Sequence, residues 1–291
     1  MNGILNIDKP PGMTSHDVVA RVRRLAGQKR VGHAGTLDPD ATGVLLVCLG
    51  QATRLADLLT AEGKEYRATL ALGAATTTED ASGDILTETD ASHVTEQHLR
   101  ELLPRFTGLI QQVPPMVSAV HHQGQRLYTL ARQGIMVERE ARPVRIDVLT
   151  LRGFVPGPRP TAVLEVVCGK GTYIRTLCAD LGAALGVGGH MASLRRTRVG
   201  GFPVSGAVPL DVLTETNIAE HLTQPAAVLA HLPAQTVTDD AQRDDVRQGR
   251  PLPTSLGDQA AVRVLSREGR LLALARAEAC RLHPYKVFAD D

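Results

Sequence analysis

The segment Gly32-His33-Ala34-Gly35-Thr36-Leu37-Asp38-Pro39, completed by Ala41-Thr42-Gly43, constrains this chain more than any other feature. Its small residues make a loop that runs directly into an unbroken apolar stretch, residues 44–49, which reads as a fully buried strand. The glycines let the backbone bend tightly, and Pro39 biases Asp38 towards an extended conformation that holds its carboxylate away from any helix. On local composition alone, Asp-Pro beside glycine also fits an ordinary turn. A long glycine-containing loop that feeds rigid core is nevertheless where function often sits.

The flanking patterns predict an α/β (α+β) protein. Residues 4–7 read as a short strand and Lys9-Pro10-Pro11-Gly12 as a turn. Ser15 reads as an N-cap, with Val18, Val19, Val22 and Leu25 on one helical face and Gly27 as the stop. Tyr66, Ala68, Leu70 and Leu72 alternate with Arg67, Thr69 and Ala71, the signature of a half-buried strand. Residues 74–92 are polar, acidic and small, and read as a surface loop. Thr95 is placed to cap a helix carrying Leu99, Leu102 and Leu103. Residues 111–142 form a basic, Gln-rich, partly helical stretch containing Pro114-Pro115. Strands are predicted over 144–151 and 161–168, and Gly169-Lys170-Gly171 turns the chain into a helix through Ile174, Leu177 and Leu181. Residues 203–237 connect with mixed helical character. Beyond about Thr238 the pattern changes to short strands, 261–265 and 271–275. The expected division is therefore 1–237 and 238–291, with no internal repeat.

Composition narrows the function classes. A chain of 291 residues has room for one large domain and a small appendage, at about 100–200 residues per domain. With 43% hydrophobic and 22% charged residues it reads as soluble and globular. Aromatic residues make up only 3%, so each Tyr counts in any site that stacks on a base. Lys and Arg number 32 against 31 acidic residues, so the net charge identifies no partner. Local clusters do more: Arg21, Arg23, Arg24, Lys29 and Arg30 in one stretch, and Arg195, Arg196 and Arg198 in another, can hold a phosphate backbone or form solvated faces. Cys48, Cys168, Cys178 and Cys280 form no CxxC pair or metal-ligand spacing, and buried reduced thiols are the simplest reading. The sequence shows no P-loop, no GxGxxG after a strand and no metal-ligand cluster, so no cofactor, metal or nucleotide is expected. Asp8 and Lys9 interrupt any signal-peptide pattern, and no apolar run is long enough to span a bilayer. The expectation is a cytoplasmic protein without membrane contact.

Together with Lys9-Pro10-Pro11-Gly12, the Gly32–Gly43 string resembles the opening of the TruB family of bacterial tRNA pseudouridine-55 synthases. The resemblance continues through Lys64-Glu65-Tyr66. It then covers Gln112-Val113-Pro114-Pro115-Met116, Ser118-Ala119, Gly124, Leu127-Tyr128, Ala131-Arg132 and Gly134, similar to that family's RNA-gripping thumb. Lys170-Gly171-Thr172-Tyr173-Ile174-Arg175-Thr176-Leu177 and Leu194-Arg195-Arg196-Thr197 with Gly200 and Phe202 carry it further. Residues 238–288 resemble the family's short PUA-like tail. Val117 and His121 depart from the family's usual aromatic and Lys in the thumb.

The resemblance implies a pseudouridine synthase fold: a mixed, largely antiparallel sheet flanked by helices, plus a small C-terminal β-rich PUA-like domain. It makes Asp38, within Gly35-Thr36-Leu37-Asp38-Pro39, the catalytic carboxylate and Arg175 its partner. Tyr66 becomes the active-site tyrosine, as a C5 base or as a platform for the uracil. His33 contacts the T loop, Tyr173 and Leu194 line the uracil pocket, and Lys9, Pro10 and Lys170 belong to the supporting motifs. The implied partner is tRNA, through its T-arm stem-loop, and the implied state is a monomer. Pseudouridine formation breaks N1–C1′, turns the uracil and joins C5 to C1′, with no net redox change. It needs an ionised carboxylate, and an Asp in a base-sized pocket needs a permanent cation beside it to stay ionised. Whether Asp38 attacks C6, attacks C1′ or abstracts a ribose proton stays open. The alternative readings are a non-catalytic RNA-binding or tRNA-folding chaperone and a guide-RNA-dependent relative of the dyskerin type.

Overall fold

The unbroken apolar run becomes the strand Thr42–Leu49, and both of its faces are covered. Leu45, Val47 and Leu49 enter one core with Leu5, Ile7, Val18 and Val22. Val44, Leu46 and Cys48 enter a second core with Leu55 and Val199, and with Leu271, Leu274 and Phe288 from the far end of the chain. Burial on both faces removes the alternation a half-exposed strand would show.

The computed structural model describes residues 1–118, 121–122 and 124–288. In chain order the elements begin with β1 (Gly3–Lys9), α1 (Ser15–Leu25), β2 (Val31–Ala34), β3 (Thr42–Leu49), α2 (Ala56–Ala61) and β4 (Lys64–Leu72). Next come β5 (Ala74–Thr76), β6 (Ile85–Glu88), α3 (Glu96–Leu102), β7 (Gly108–Gln112), β8 (His121–His122), β9 (Gln125–Arg126) and α4 (Leu127–Arg132). The central part continues with β10 (Arg142–Val155), β11 (Thr161–Cys168), α5 (Ile174–Ala184), β12 (Gly189–Val199), β13 (Phe202–Pro203) and β14 (Val208–Pro209). The remainder holds α6 (Pro225–Val228), β15 (Ala234–Thr236), α7 (Asp240–Arg247), β16 (Leu252–Pro253), β17 (Gln259–Leu265), β18 (Leu271–Glu278) and β19 (Arg281–Val287).

The main sheet runs β14-β1-β3-β12-β4-β11-β10-β7, with β2 paired to β3 and β13 to β12. Only β1/β14 and β3/β12 are parallel, so the sheet is mixed and largely antiparallel. α1 and α5 cover one face through Val18, Val22, Leu177 and Leu181. A second sheet, β15-β17-β18-β19-β16, has its own core of Val246, Val262, Val264, Ala273 and Leu282.

Four local readings are corrected. Thr14, not Ser15, caps α1, in a reciprocal capping box with Asp17. Part of the small-residue loop, Val31–Ala34, is strand, because β3 offers it a free edge. Within 74–92 the chain forms the β5–β6 hairpin. Residues 189–199, which hold the basic cluster Arg195, Arg196 and Arg198 and drew no strand reading, are the long strand β12, which lies between β3 and β4.

Candidate active site

Asp38 sits in the turn between β2 and β3, and three buried side chains tether that turn. The Ser15 hydroxyl accepts from the Leu37 amide at 2.9 Å and donates to the Leu37 carbonyl at 3.2 Å. Turned inward, Ser15 is thus a clamp on the motif. Lys9 is fully buried, and its Nζ donates to the carbonyls of Pro10, Met13 and Pro39 at 2.8, 2.6 and 2.7 Å. It joins the Lys9-Pro10-Pro11-Gly12 turn to the Asp38-Pro39 turn, and burial lowers its pKa. Arg196 donates to the carbonyls of Gly35, Thr36 and Val44. Leu37 itself is buried in the core, which anchors the turn from below.

Arg175 lies in the first turn of α5 and meets Asp38 across the sheet. Its Nε is 3.1 Å from Oδ2 and its Nη2 3.2 Å from Oδ1, a two-pronged contact. The same guanidinium donates to the Val117 carbonyl at 2.8 Å and the Thr78 carbonyl at 3.2 Å, and lies 3.8 Å from Asp80. It therefore links the Asp38 turn, the β5–β6 hairpin and the base of the 111–142 segment. Arg175 is 5% exposed, whereas the Asp38 side chain keeps 32% of its surface open. The cation is sealed and the carboxylate faces outward. Burial still raises the Asp38 pKa above the ordinary range. Arg175 and Lys9 pull it down, while Asp80 adds to the rise.

Tyr66 projects from β4 into the core beside this pair. Burial pushes its hydroxyl above the ordinary value, and the nearby Arg196 charge pulls the other way without prevailing. Tyr173 immediately precedes α5. Its backbone is fixed by buried Gln112, which accepts from the Tyr173 amide at 3.0 Å and donates to its carbonyl at 3.1 Å. Burial likewise raises the Tyr173 pKa, and the charge on Asp38 adds a smaller push in the same direction at both phenols. Leu194, opposite Ala68 in the β4–β12 pairing, is buried in the same core. The His33 ring meets His16 edge-on at 5.2 Å, and burial drops its pKa to about 4, so the ring is neutral at pH 7. Pro10 is half-buried and Lys170 exposed in the turn before α5.

Asp38, Arg175, Tyr66, Tyr173 and Leu194 are therefore brought into one region, with His33 on the strand leading to it. Ala119 and the side chains of His121, Tyr128 and Arg132 lie outside the described residues. The thumb-like segment has its own small core of Met116, Leu127 and Leu130, and Arg139 ties it to the Pro114 carbonyl.

The second basic cluster needs revision. Arg195 pairs with Asp8 at 2.7 Å and Arg198 with Glu65 at 3.1 Å, while Arg196 is 1% exposed and cannot meet a phosphate. Sequence reasoning missed Arg196, Ser15 and Asp80 as parts of the site. Only Ser15 left a signal, since Thr14 already supplied the cap. Among the described residues no group of His, Cys, Asp and Glu could hold a metal ion. No described helix is long and apolar enough to cross a membrane.

Comparison with known proteins fits this geometry. Along 99% of its length the chain superposes on a protein of a Cbf5-Nop10-Gar1 complex, with a TM-score of 0.73, 28% identity and 85% of that chain covered. The architecture is that of the pseudouridine synthases. Residues 23–174 match the N-terminal domain of the TruB family pseudouridylate synthases, and residues 175–232 match the tRNA pseudouridylate synthase B C-terminal domain. The chain is 46% identical to tRNA pseudouridine synthase B of Thermobifida fusca, over 100% of this chain and 99% of that protein. It is 53% identical to the protein of the same name from Symbiobacterium thermophilum, over 83% of this chain and 80% of that one. The chain belongs to the TruB family.

Proposed function

We propose that this TruB-family isomerase acts on tRNA, converting the T-loop uridine at position 55 to pseudouridine with Asp38 as its catalytic carboxylate. The observation that carries this reading is the half-open Asp38 carboxylate held by the sealed Arg175 guanidinium. A uridine inside a folded loop must leave its stack to reach that carboxylate, at a cost of about a few kcal/mol. Neutral His33 is placed to pack where the base has left. Arg175 keeps Asp38 ionised and aimed, either as nucleophile or as base. Tyr66, held protonated by burial, fits a neutral platform against the uracil better than a free phenolate base. Tyr173 and Leu194 complete the pocket. RNA held by its backbone and shape would lie along the thumb-like segment and the exposed basic side of α1.

The reading includes a monomeric enzyme divided near residue 237 into a catalytic part and a PUA-like tail. The five-stranded sheet starting at Ala234–Thr236 supports that division.

Asp38→Asn is expected to abolish turnover while T-arm stem-loop affinity stays near wild type, measured by tritium release from C5-labelled tRNA and by filter binding. Turnover surviving the substitution removes Asp38 from the centre. Wild-type activity on bare tRNA transcript excludes both a requirement for guide RNA and an RNA-binding role alone.

A further inference from the structure

We infer that Arg196 is a positioning residue for the isomerisation: its guanidinium fixes the turn carrying Asp38 against the strand carrying Tyr66. The inference rests on the assignment of Asp38 as the catalytic carboxylate.

Arg196 lies on β12, where its backbone stands opposite Gly43 of β3 on one side and Tyr66 of β4 on the other. Its side chain is 1% exposed. Among the described residues no carboxylate lies within 4.0 Å of it, and its partners at the turn are main-chain carbonyls: Val44 at 2.7 Å from Nε, Thr36 at 3.2 Å from Nη1 and Gly35 at 3.0 Å from Nη2. Burying a cation without an anion is costly, so carbonyl dipoles must be fixed around it and are held by it in return. The Gly35 and Thr36 carbonyls lie just beyond the last paired residue of β2, Ala34, where the ladder with β3 gives them no amide. Arg196 supplies the missing donors.

The division of labour around the turn makes this specific. Ser15 holds Leu37, and Lys9 holds Pro39. The approach to Asp38 from β2 is left to Arg196. Gly43 allows the arrangement, because a Cβ there would lie 2.1 Å from the Arg196 carbonyl oxygen. The planar fork of an Arg reaches carbonyls spread along its edge at fixed angles, whereas a Lys ammonium, as Lys9 shows, gathers carbonyls around a single point.

Arg196→Lys and Arg196→Gln are tested by thermal melting, stem-loop affinity, single-turnover rate and hydrogen exchange of peptides covering residues 35–41, beside Asp38→Asn. The expected result is a cooperative melt, affinity near wild type and a rate lowered about 100-fold, as a catalytic group displaced by about 1 Å can show. Faster exchange should be confined to residues 35–41. A rate close to wild type, or unchanged exchange in that segment, overturns the assignment. Loss of the cooperative melt in both variants also overturns it, because Arg196 then supports the whole fold and not this turn. Turnover surviving in Asp38→Asn would instead sink the catalytic reading, while the exchange and melting data would still report on the tether.

Discussion

At the scale of single residues, the site separates a sealed cation from a half-open anion. Arg175 contributes through charge and through its fork, which grips both oxygens of Asp38. Burial already lifts the Asp38 pKa, and Arg175 is the largest influence holding it down. Arg175→Met should therefore raise that pKa further, so that loss of activity on acidification begins at higher pH than in the wild type. The sign follows from the need for the ionised form: the reaction fades as pH falls through the Asp38 pKa. Misplacement of the carboxylate adds a rate loss of about 100-fold even where it is ionised. Arg175→Lys, which keeps charge without the fork, should move the acid limb less than it lowers the rate. Single-turnover rates across pH check both, and an unmoved acid limb in Arg175→Met would refute the electrostatic role.

At the scale of elements, legibility followed periodicity. β4 alternates strictly and could be read because one face meets the core, and β3 could be read because both faces do. β12 could not. Its pairing with β4 shifts register between Met191 and Ser193 and again between Arg196 and Arg198, and each irregularity breaks the two-residue period. Three arginines then make a core strand look like a basic surface motif. The register of this hidden strand places Arg196 opposite Tyr66 and brings β12 alongside Gly43. Gly43 has φ +96 and no room for a Cβ. Gly43→Ala should therefore destabilise the fold by about 1–3 kcal/mol through backbone strain and loosen the β3–β12 pairing. A thermal melt measures the first effect, and a wild-type Tm would show that the pairing tolerates the side chain.

At the scale of the whole molecule, the two basic clusters part company. Arg195 and Arg198 are ion-paired and Arg196 is sealed, whereas Arg24 and Lys29 on and after α1 are exposed. If RNA lies along α1, replacing Arg24 and Lys29 by Gln should flatten the salt dependence of stem-loop binding by about one unit of slope for each phosphate no longer neutralised. An unchanged slope would move the RNA elsewhere. The sequence by itself determined the buried strand, the half-buried strand beside Asp38, the helix after Gly171 and, through the ordered motifs, the family; it also named Asp38 as the proposed catalytic carboxylate. These are local periods and strings, carried by neighbouring residues. Tertiary structure alone decided that Arg175 meets a carboxylate 137 positions away, that Ser15 turns inward and that Arg196 faces carbonyls instead of phosphate. Those outcomes depend on which strands become neighbours and in what register. That is settled by burial on both faces of the sheet at once, and no local pattern encodes it.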